Sequence, residues 1–314
     1  MLDILAITGP IYLAIGLGYV ATRWGVFERA DMRVFGKFTL NLALPALLFN
    51  ALSQRSVAEI LNGQYLLAYA LSTLVVMGLA LVWSRHVQRH SLSYSSMMAM
   101  GMTCPNSGFV GFPIILLTLG PVAGIALALN MVVENLLLIP LLLAVADSDG
   151  GAHGQWRKVL QQTLIGLIKN PMIIGIAAGF CVSWSGVHIP TPFTRTVTLF
   201  AQASGALSLF VIGGSLVDLK VQGLKRPVVH ITLGKLLLHP LAMLVTLWWV
   251  VPVDDPALRA AALITAALPM LGIYTILSQR HGHEATSAAA LLVTTVASFF
   301  TLSGLLWVLQ HVSL

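Results

Sequence analysis

The sequence contains one interrupted apolar run on which its interpretation depends, Thr103-Cys104-Pro105-Asn106-Ser107-Gly108-Phe109-Val110-Gly111-Phe112-Pro113. Each proline deletes a helical N–H donor and crowds the preceding turn, and the glycines between them loosen the backbone. Apolar residues 97–104 and 114–119 flank the break, which places it at membrane depth. Irregular backbone is tolerated there only when it is buried in protein or lines a watery cavity. The break is therefore a candidate site for a solute, with Asn106 at its centre and Gly108 and Gly111 in its backbone.

The composition indicates a polytopic membrane protein. Of the 314 residues, 57% are hydrophobic and 9% are charged, whereas a soluble domain has about 25% charged residues. The pI of about 9.6 would suggest a nucleic-acid partner in a soluble protein, but basic residues of a membrane protein set its topology. We therefore expect no nucleic acid. Cys104 and Cys181 have no metal or disulfide spacing, and the first apolar segment, with Asp3 and no basic region before it, is predicted to be a retained span.

Hydrophobicity predicts an all-α fold of ten transmembrane helices. A span needs about 20 mostly apolar residues. On that criterion the predicted spans are residues 4–22, 34–52, 64–84, 94–118, 121–146, 169–185, 196–217, 227–250, 257–277 and 285–309.

Basic residues predict the orientation of these spans. The connections after the odd-numbered spans contain thirteen of the seventeen lysines and arginines: Arg23, Arg29, Arg33, Lys37, Arg85, Arg89, Arg157, Lys158, Lys169, Lys220, Lys225, Arg226 and Arg280. The opposite connections have Arg55, Arg195 and Arg259, and Lys235 falls inside a span. Because cytoplasmic loops are enriched in lysine and arginine, the odd connections are predicted to be cytoplasmic and both termini periplasmic.

The two halves of the chain look related. Pro10 and Pro171 lie in the first span of each half, 161 residues apart, and Pro113 and Pro269 interrupt the fourth spans, 156 residues apart. Five spans per half require the second copy to enter from the opposite face. We therefore predict two inverted repeats, residues 1–146 and 170–314, joined by a cytoplasmic loop at 147–169. Inverted repeats with paired broken helices are typical of secondary transporters.

Four stretches resemble the auxin efflux carrier family: FTLNLALPALLF (38–49), NSGFVGFP (106–113), KLLLHP (235–240) and ALPM (267–270). The resemblance covers essentially the whole chain, and the short central loop is similar to that of bacterial members. It implies the fold of bile-acid/sodium symporters, in which spans 1, 2, 6 and 7 form a scaffold domain and spans 3–5 and 8–10 form a transport domain that moves as an elevator. It also implies that broken spans 4 and 9 cross near the midplane, and suggests a homodimer in the bacterial inner membrane.

The two breaks supply the first candidate binding residues. The Asn106 amide offers donors and an acceptor to a carboxylate, and the half-helix after Pro113 presents its positive end to the break. The alternative is that Asn106 only caps that half-helix; the family's use of this position favours substrate. The second break, at Pro269 and Gly272, is less polar, and Tyr274 offers a hydroxyl at its rim.

Charged and amide side chains inside the spans are the remaining candidates. Glu134, with Asn130 one turn earlier, is either a proton-coupling group or a structural carboxyl. Lys235 either pairs with Glu134, attracts an anionic substrate, or ties the broken helices together in place of a sodium ion. Asn50 of span two is a further candidate for the substrate cavity.

The predicted function is transport of a small organic anion, a carboxylate, across the inner membrane by alternating access with possible proton coupling. The alternative within transport is a sodium-coupled symporter of the bile-acid type. A membrane enzyme would need a nucleophile–base pair or a metal triad at one depth. The cluster His281-Gly282-His283-Glu284 is better interpreted as a solvated loop than as a metal site. We therefore predict neither enzyme activity nor a metal or cofactor; the expected partners are the anion, protons and the bilayer.

Overall fold

In the computed structural model, residues 2–148, 165–217, 226–272, 274–279 and 281–311 are described, and helices are the regular structure of these residues. The helices are α1 (Leu2–Arg23), α2 (Arg29–Ser53), α3 (Val57–Ile60), α4 (Gly63–Val87), α5 (Leu92–Thr103), α6 (Ser107–Leu119), α7 (Val122–Asp147), α8 (Pro171–Ser185), α9 (Thr191–Ser215), α10 (Arg226–Val250), α11 (Pro256–Ala267), α12 (Tyr274–Gln279) and α13 (Glu284–His311). Residues 165–168 are also helical. Most of the predicted 147–169 loop lies outside the described residues, as do Arg157, Lys158, Lys220, Lys225 and Arg280.

Both predicted regions contain a helix break, but the first break lies at Pro105, and Pro113, which was predicted to interrupt the span, lies inside the next helix. The helix α5 ends at Thr103, and α6 begins at Ser107 after the Cys104-Pro105-Asn106 interruption. In the second half α11 ends at Ala267, two residues before Pro269, and α12 begins at Tyr274. The prolines explain the breaks, because the residue before a proline is pushed out of the helical region.

Four wider π-helical turns have a common cause in the sequence. They cover Thr39–Ala43, Ser107–Gly111, Glu134–Leu138 and Gly234–Leu238. Each is followed, two residues later, by a proline: Pro45, Pro113, Pro140 and Pro240. A proline inside a helix removes one N–H donor and clashes with the carbonyl four residues earlier, so the preceding turn widens. Such turns are often found at functional sites, and two of them contain Glu134 and Lys235.

The chain forms two compact units, and unit 1 consists of Met1–Gly63, Ser107–Met131 and Gly166–Asp218. Within it α9 packs against α1, α2 and α6, and α8 packs against α2. Glycines allow the backbones to approach closely: a Cβ atom added to Gly213 would collide with the Ile15 carbonyl, and one added to Gly175 would lie 2.6 Å from the Pro45 carbonyl oxygen. Small residues at such contacts are typical of helix packing in membranes.

Unit 2 consists of Gln64–Asn106, Val132–Ile165 and Leu219–Leu314. Within it α5 packs against the second half of α7 and against α10, while α13 packs against α10, α11 and α12. The Ser96 hydroxyl donates a hydrogen bond to the Leu142 carbonyl and joins α5 to α7. The predicted division into scaffold and transport domains, and the repeat boundaries at 1–146 and 170–314, stay predictions.

Six helices among the described residues are long and apolar enough to cross a membrane: α2, α4, α7, α9, α10 and α13. Three further apolar helices, α6, α8 and α11, are shorter. Large apolar side chains point outward, for example Trp249, which is 76% exposed, as expected for a surface that faces lipid. The all-helical membrane fold is thus confirmed, whereas the arrangement of ten helices in inverted repeats stays a prediction.

Candidate functional site

The two broken segments of unit 2 are joined by their backbones. The Asn106 N–H donates to the Pro269 carbonyl at 2.9 Å, and the Leu271 N–H donates to the Cys104 carbonyl at 3.0 Å. Together they form a short antiparallel bridge centred on Pro105 and Met270. Each break leaves backbone groups without helical partners, and these two hydrogen bonds satisfy four of them. We call this bridge the crossing.

The Asn106 side chain lies beside an accessible part of the crossing. The residue is buried to 8% exposure, but its Nδ2 atom is 3.9 Å from the position that a Cβ atom on the exposed Gly272 would take. Because Gly272 has no side chain, the space next to the amide is left open. An amide in such a place can donate to a carboxylate and accept from a hydroxyl.

Lys235 is fully buried in unit 2. It is 0% exposed, and its Nζ donates to the Ala266 carbonyl at 2.9 Å and to Nδ1 of His239 at 2.8 Å. Ala266 is in the last turn of α11, just before the second break. Free carbonyls at a helix C-terminus carry partial negative charge, so the ammonium group stabilises this end of the broken helix.

A chain of hydrogen bonds continues from Lys235 to α4. Nδ1 of His239 accepts from the lysine, so the neutral ring carries its proton on Nε2. Nε2 lies 3.1 Å from Oγ1 of Thr73, which in turn donates to the Tyr69 carbonyl at 2.6 Å. Each group in the chain therefore has a donor and an acceptor in the required order. Buried polar networks that are satisfied in this way hold their members in fixed positions.

The same α4 residue also contacts the buried carboxylate. The Tyr69 hydroxyl donates to Oε1 of Glu134 at 2.8 Å, and Glu134 is 2% exposed. The backbone of Tyr69 thus ends the chain from Lys235, while its side chain binds Glu134. The structure brings the two charged residues into one polar cluster of Lys235, His239, Thr73, Tyr69 and Glu134.

The other predicted site residues are divided between the units. Pro113, Gly108 and Gly111 are buried in α6 of unit 1, where Gly108 packs close to Leu44. Asn50 of α2 is also in unit 1, and its side-chain oxygen accepts a hydrogen bond from Gln54 at 2.8 Å.

Asn130 and Tyr274 are both buried. Asn130 lies in the part of α7 that belongs to unit 1, one turn before Glu134. Tyr274 begins α12 in unit 2. Its hydroxyl oxygen would lie 3.0 Å from a Cβ atom added to Gly101 of α5. The Tyr274 ring therefore packs against α5, where Gly101 leaves space for it. The binding roles of all these residues stay predictions.

Sequence reasoning missed three members of the polar cluster: Tyr69, Thr73 and His239. A signal was available, because Tyr69 and Thr73 are four residues apart on one face of α4, and His239 is four residues after Lys235. Polar residues at this spacing within apolar helices share a face. Their partners lie on other helices, however, which the spacing alone does not identify.

Comparison with known proteins relates the chain to membrane transporters. Residues 6–307 match the family described as "Membrane transport protein". A Rhizobium meliloti (strain 1021) protein named "Putative malonate transporter" is 26% identical over 311 residues, covering 99% of this chain and 97% of that protein. The "Uncharacterized transporter YfdV" of Escherichia coli (strain K12) is 25% identical over 95% of both chains.

The plant relatives match part of the chain. The "Auxin efflux carrier component 2" of Arabidopsis thaliana is 26% identical over 151 residues, which is 48% of this chain and 23% of that protein. The expected resemblance to the auxin efflux carriers is confirmed.

Proposed function

The chain belongs to the auxin efflux carrier family of membrane transport proteins, and from this we propose that it is a secondary transporter of a small organic anion. The family match and the apolar helices indicate that the chain is an integral multi-pass membrane protein and a transporter. The names of the relatives point to transport and not to an enzyme. The crossing carries the proposal, since it sets the Asn106 amide beside open space at Gly272.

A carboxylate fits the charge and hydrogen-bonding groups of unit 2. Asn106 supplies a neutral hydrogen-bond donor, and Lys235 supplies a positive charge. The Lys235 ammonium group donates to the carbonyl of Ala266, which is three residues before Pro269 of the crossing. A buried positive charge favours an anionic substrate over a cationic one. The name of the Rhizobium relative refers to malonate, and a dicarboxylate therefore belongs first in the substrate panel.

We infer an elevator movement of the crossing together with the polar cluster. The hydrogen bonds described above for the crossing and the polar cluster join residues of unit 2. They can therefore move as one body without being broken. The test is a Gly272→Cys variant in a Cys181→Ser background, labelled by a membrane-impermeant maleimide from each side. Elevator movement predicts labelling from both sides, with substrate changing the ratio. Labelling from one side alone, with and without substrate, would contradict it.

Glu134 is the proposed proton-coupling group. A buried carboxyl held by the Tyr69 hydroxyl can bind and release a proton as its surroundings change. Lys235 argues against the sodium-coupled alternative, because its ammonium group already supplies positive charge at the C-terminal end of α11. Proton coupling therefore takes precedence over sodium coupling in the proposal.

Uptake into proteoliposomes tests the substrate site. Malonate and other mono- and dicarboxylates are offered to wild type, Asn106→Ala and the control Gln279→Ala, which removes an exposed amide. A hydrogen bond to a charged group contributes about 1.5–3 kcal/mol, so Asn106→Ala should reduce uptake at low substrate by about tenfold or more. Wild-type uptake by Asn106→Ala would show that the site is misplaced.

Ion gradients test the coupling in the same vesicles. Wild type should respond to an imposed pH gradient, Glu134→Gln should transport without that response, and the exposed Glu59→Gln should behave as wild type. A wild type that ignores the pH gradient but follows a sodium gradient would establish the alternative. Homodimerisation and the periplasmic position of both termini are also proposed, and light scattering and terminal reporter fusions test them.

A further inference from the structure

A groove runs along the surface of unit 2 between α4 and α10. It encloses about 530 Å³, within the range of about 300–1,000 Å³ that is usual for ligand pockets. One wall contains Leu79 and Ala80 of α4, and the other contains Leu233, Leu237 and Leu241 of α10. These three leucines are spaced four residues apart and form one stripe. Such walls bind hydrocarbon and offer nothing to a small carboxylate.

The floor of the groove is shaped by Gly234. An added Cβ there would lie 2.6 Å from Cγ and Sδ of Met102. Glycine thus lets the Met102 side chain of α5 pack against the α10 backbone and line the groove. A built floor of this kind distinguishes the groove from the general lipid-facing surface of the helices.

One end of the groove is polar and aromatic. Trp83 and His230 line this end, and their ring centroids are 6.5 Å apart. Among the described residues that line the groove, His230 is the one with an ionisable side chain. Nδ1 of His230 is 2.9 Å from Nε2 of Gln88, so the segment after Trp83 is held against α10. Tryptophan is enriched at the level of lipid headgroups, which places this end at the membrane surface.

Exposed arginines lie close in sequence to the residues that line this end. Arg85 and Arg89 follow Trp83 directly, and Arg226 is one helical turn before His230 on α10. Arg85 donates to the His90 carbonyl at 2.9 Å, which fixes the turn. The sequence has no Asp or Glu in residues 83–90 or 226–241. The two segments next to this end therefore carry basic side chains and no acidic ones.

We propose that this groove binds an anionic phospholipid of the leaflet predicted to face the cytoplasm. An acyl chain fills the apolar channel between α4 and α10, and the phosphate lies among Arg85, Arg89 and Arg226. Charge complementarity selects an anionic headgroup, since each arginine near the surface favours an anionic lipid about fivefold. This binding is independent of the transport proposed above.

Native mass spectrometry in detergent tests the headgroup selection. The protein is equilibrated with equal amounts of phosphatidylglycerol and phosphatidylcholine of the same acyl chains. Wild type should retain phosphatidylglycerol preferentially. The variant Arg89→Asn/Arg226→Gln should lower that preference by about 25-fold; asparagine is chosen because Arg89 has a φ of 58°. The control Arg29→Gln/Arg195→Gln, which removes two exposed arginines of unit 1, should retain it.

Equal retention of both lipids by wild type, an unchanged preference in the Arg89→Asn/Arg226→Gln variant, or an equal loss in the control would each overturn the proposal. Glycerol phosphate separates a lipid site from a free-phosphate site, because it should displace the lipid poorly. Equally potent displacement would count against the groove. Ala80→Phe, checked for an unchanged elution profile and Tm, should weaken retention of both lipids. Unaltered retention by a folded Ala80→Phe protein would also count against it.

Discussion

Replacement of Gly175 by alanine should loosen the packing of α8 on α2. The new Cβ would lie 2.6 Å from the Pro45 carbonyl oxygen and 3.0 Å from its Cα. Ordinary contacts begin at 3.4 Å, so the helices must separate locally by roughly 0.8 Å. A gap of that size forfeits about a quarter to a half of each dispersion contact at the interface. Overpacking of this kind costs about 1–3 kcal/mol.

Thermal unfolding of the purified protein measures this cost. At about 2–4 °C per kcal/mol for a large domain, the Tm of Gly175→Ala should lie about 2–12 °C below that of a glycine-to-alanine variant with the same gain in helix propensity and no clash. The matched control is Gly205→Ala in α9 of the same unit, where nothing lies within 4 Å of an added Cβ. Alanine favours a helix over glycine by about 1 kcal/mol, so this control should hold or raise the Tm. The packing argument would be refuted if the Tm of Gly175→Ala equalled that of the Gly205→Ala control, whether both matched wild type or both fell by the same amount.

Three further predictions concern unit 2 and use the same unfolding assay. Tyr69→Phe removes the donor to Glu134 and should lower stability by about 1.5–3 kcal/mol; an unchanged Tm would mean that another donor replaces it. Lys235→Met leaves Nδ1 of His239 and the Ala266 carbonyl without their hydrogen-bond donor, which costs about 1–3 kcal/mol for each group. Part of this cost is offset because methionine, unlike lysine, places no charge in the interior. The Tm should therefore fall by several degrees. Burial and the neighbouring His281 lower the pKa of His283. The unfolded chain therefore binds the proton more readily, stability should fall as the pH drops below the ordinary histidine pKa of about 6.5, and His283→Asn should reduce that loss. An identical pH dependence in the variant would contradict the last prediction.

The features of this fold that follow from local chemistry were predictable. Composition predicted a helical membrane protein, and Pro105 and Pro269 predicted where two helices break. Both inferences depend on residues close together in the chain: a proline disturbs its own turn, and an apolar run is apolar wherever it packs. The widening of the turn before Pro240 was equally accessible, although the sequence interpretation did not use it.

The partners of the buried polar groups were not predictable in the same way. Lys235 was expected to meet Glu134 or the substrate, or to tie the broken helices together, and its ammonium group donates to a histidine one turn later and to a carbonyl of α11. Tyr69, the donor to Glu134, is 65 residues away in sequence. A buried charge must be satisfied by some group, but the choice among several polar residues depends on how helices rotate against each other. Helical periodicity does not determine that rotation.

The crossing has a consequence for how such a carrier could change its cargo. Its two hydrogen bonds join backbone atoms of Cys104, Asn106, Pro269 and Leu271. The acceptor carbonyls and donor amides are present whatever side chains these positions have, except that proline cannot replace either donor. The frame that holds the broken helices together is therefore separate from the groups that face a solute. If Asn106 binds the substrate as proposed above, substitutions at position 106 or at neighbouring Gly272 would alter which molecule is recognised while the frame persists, which leaves the substrate range open to gradual change.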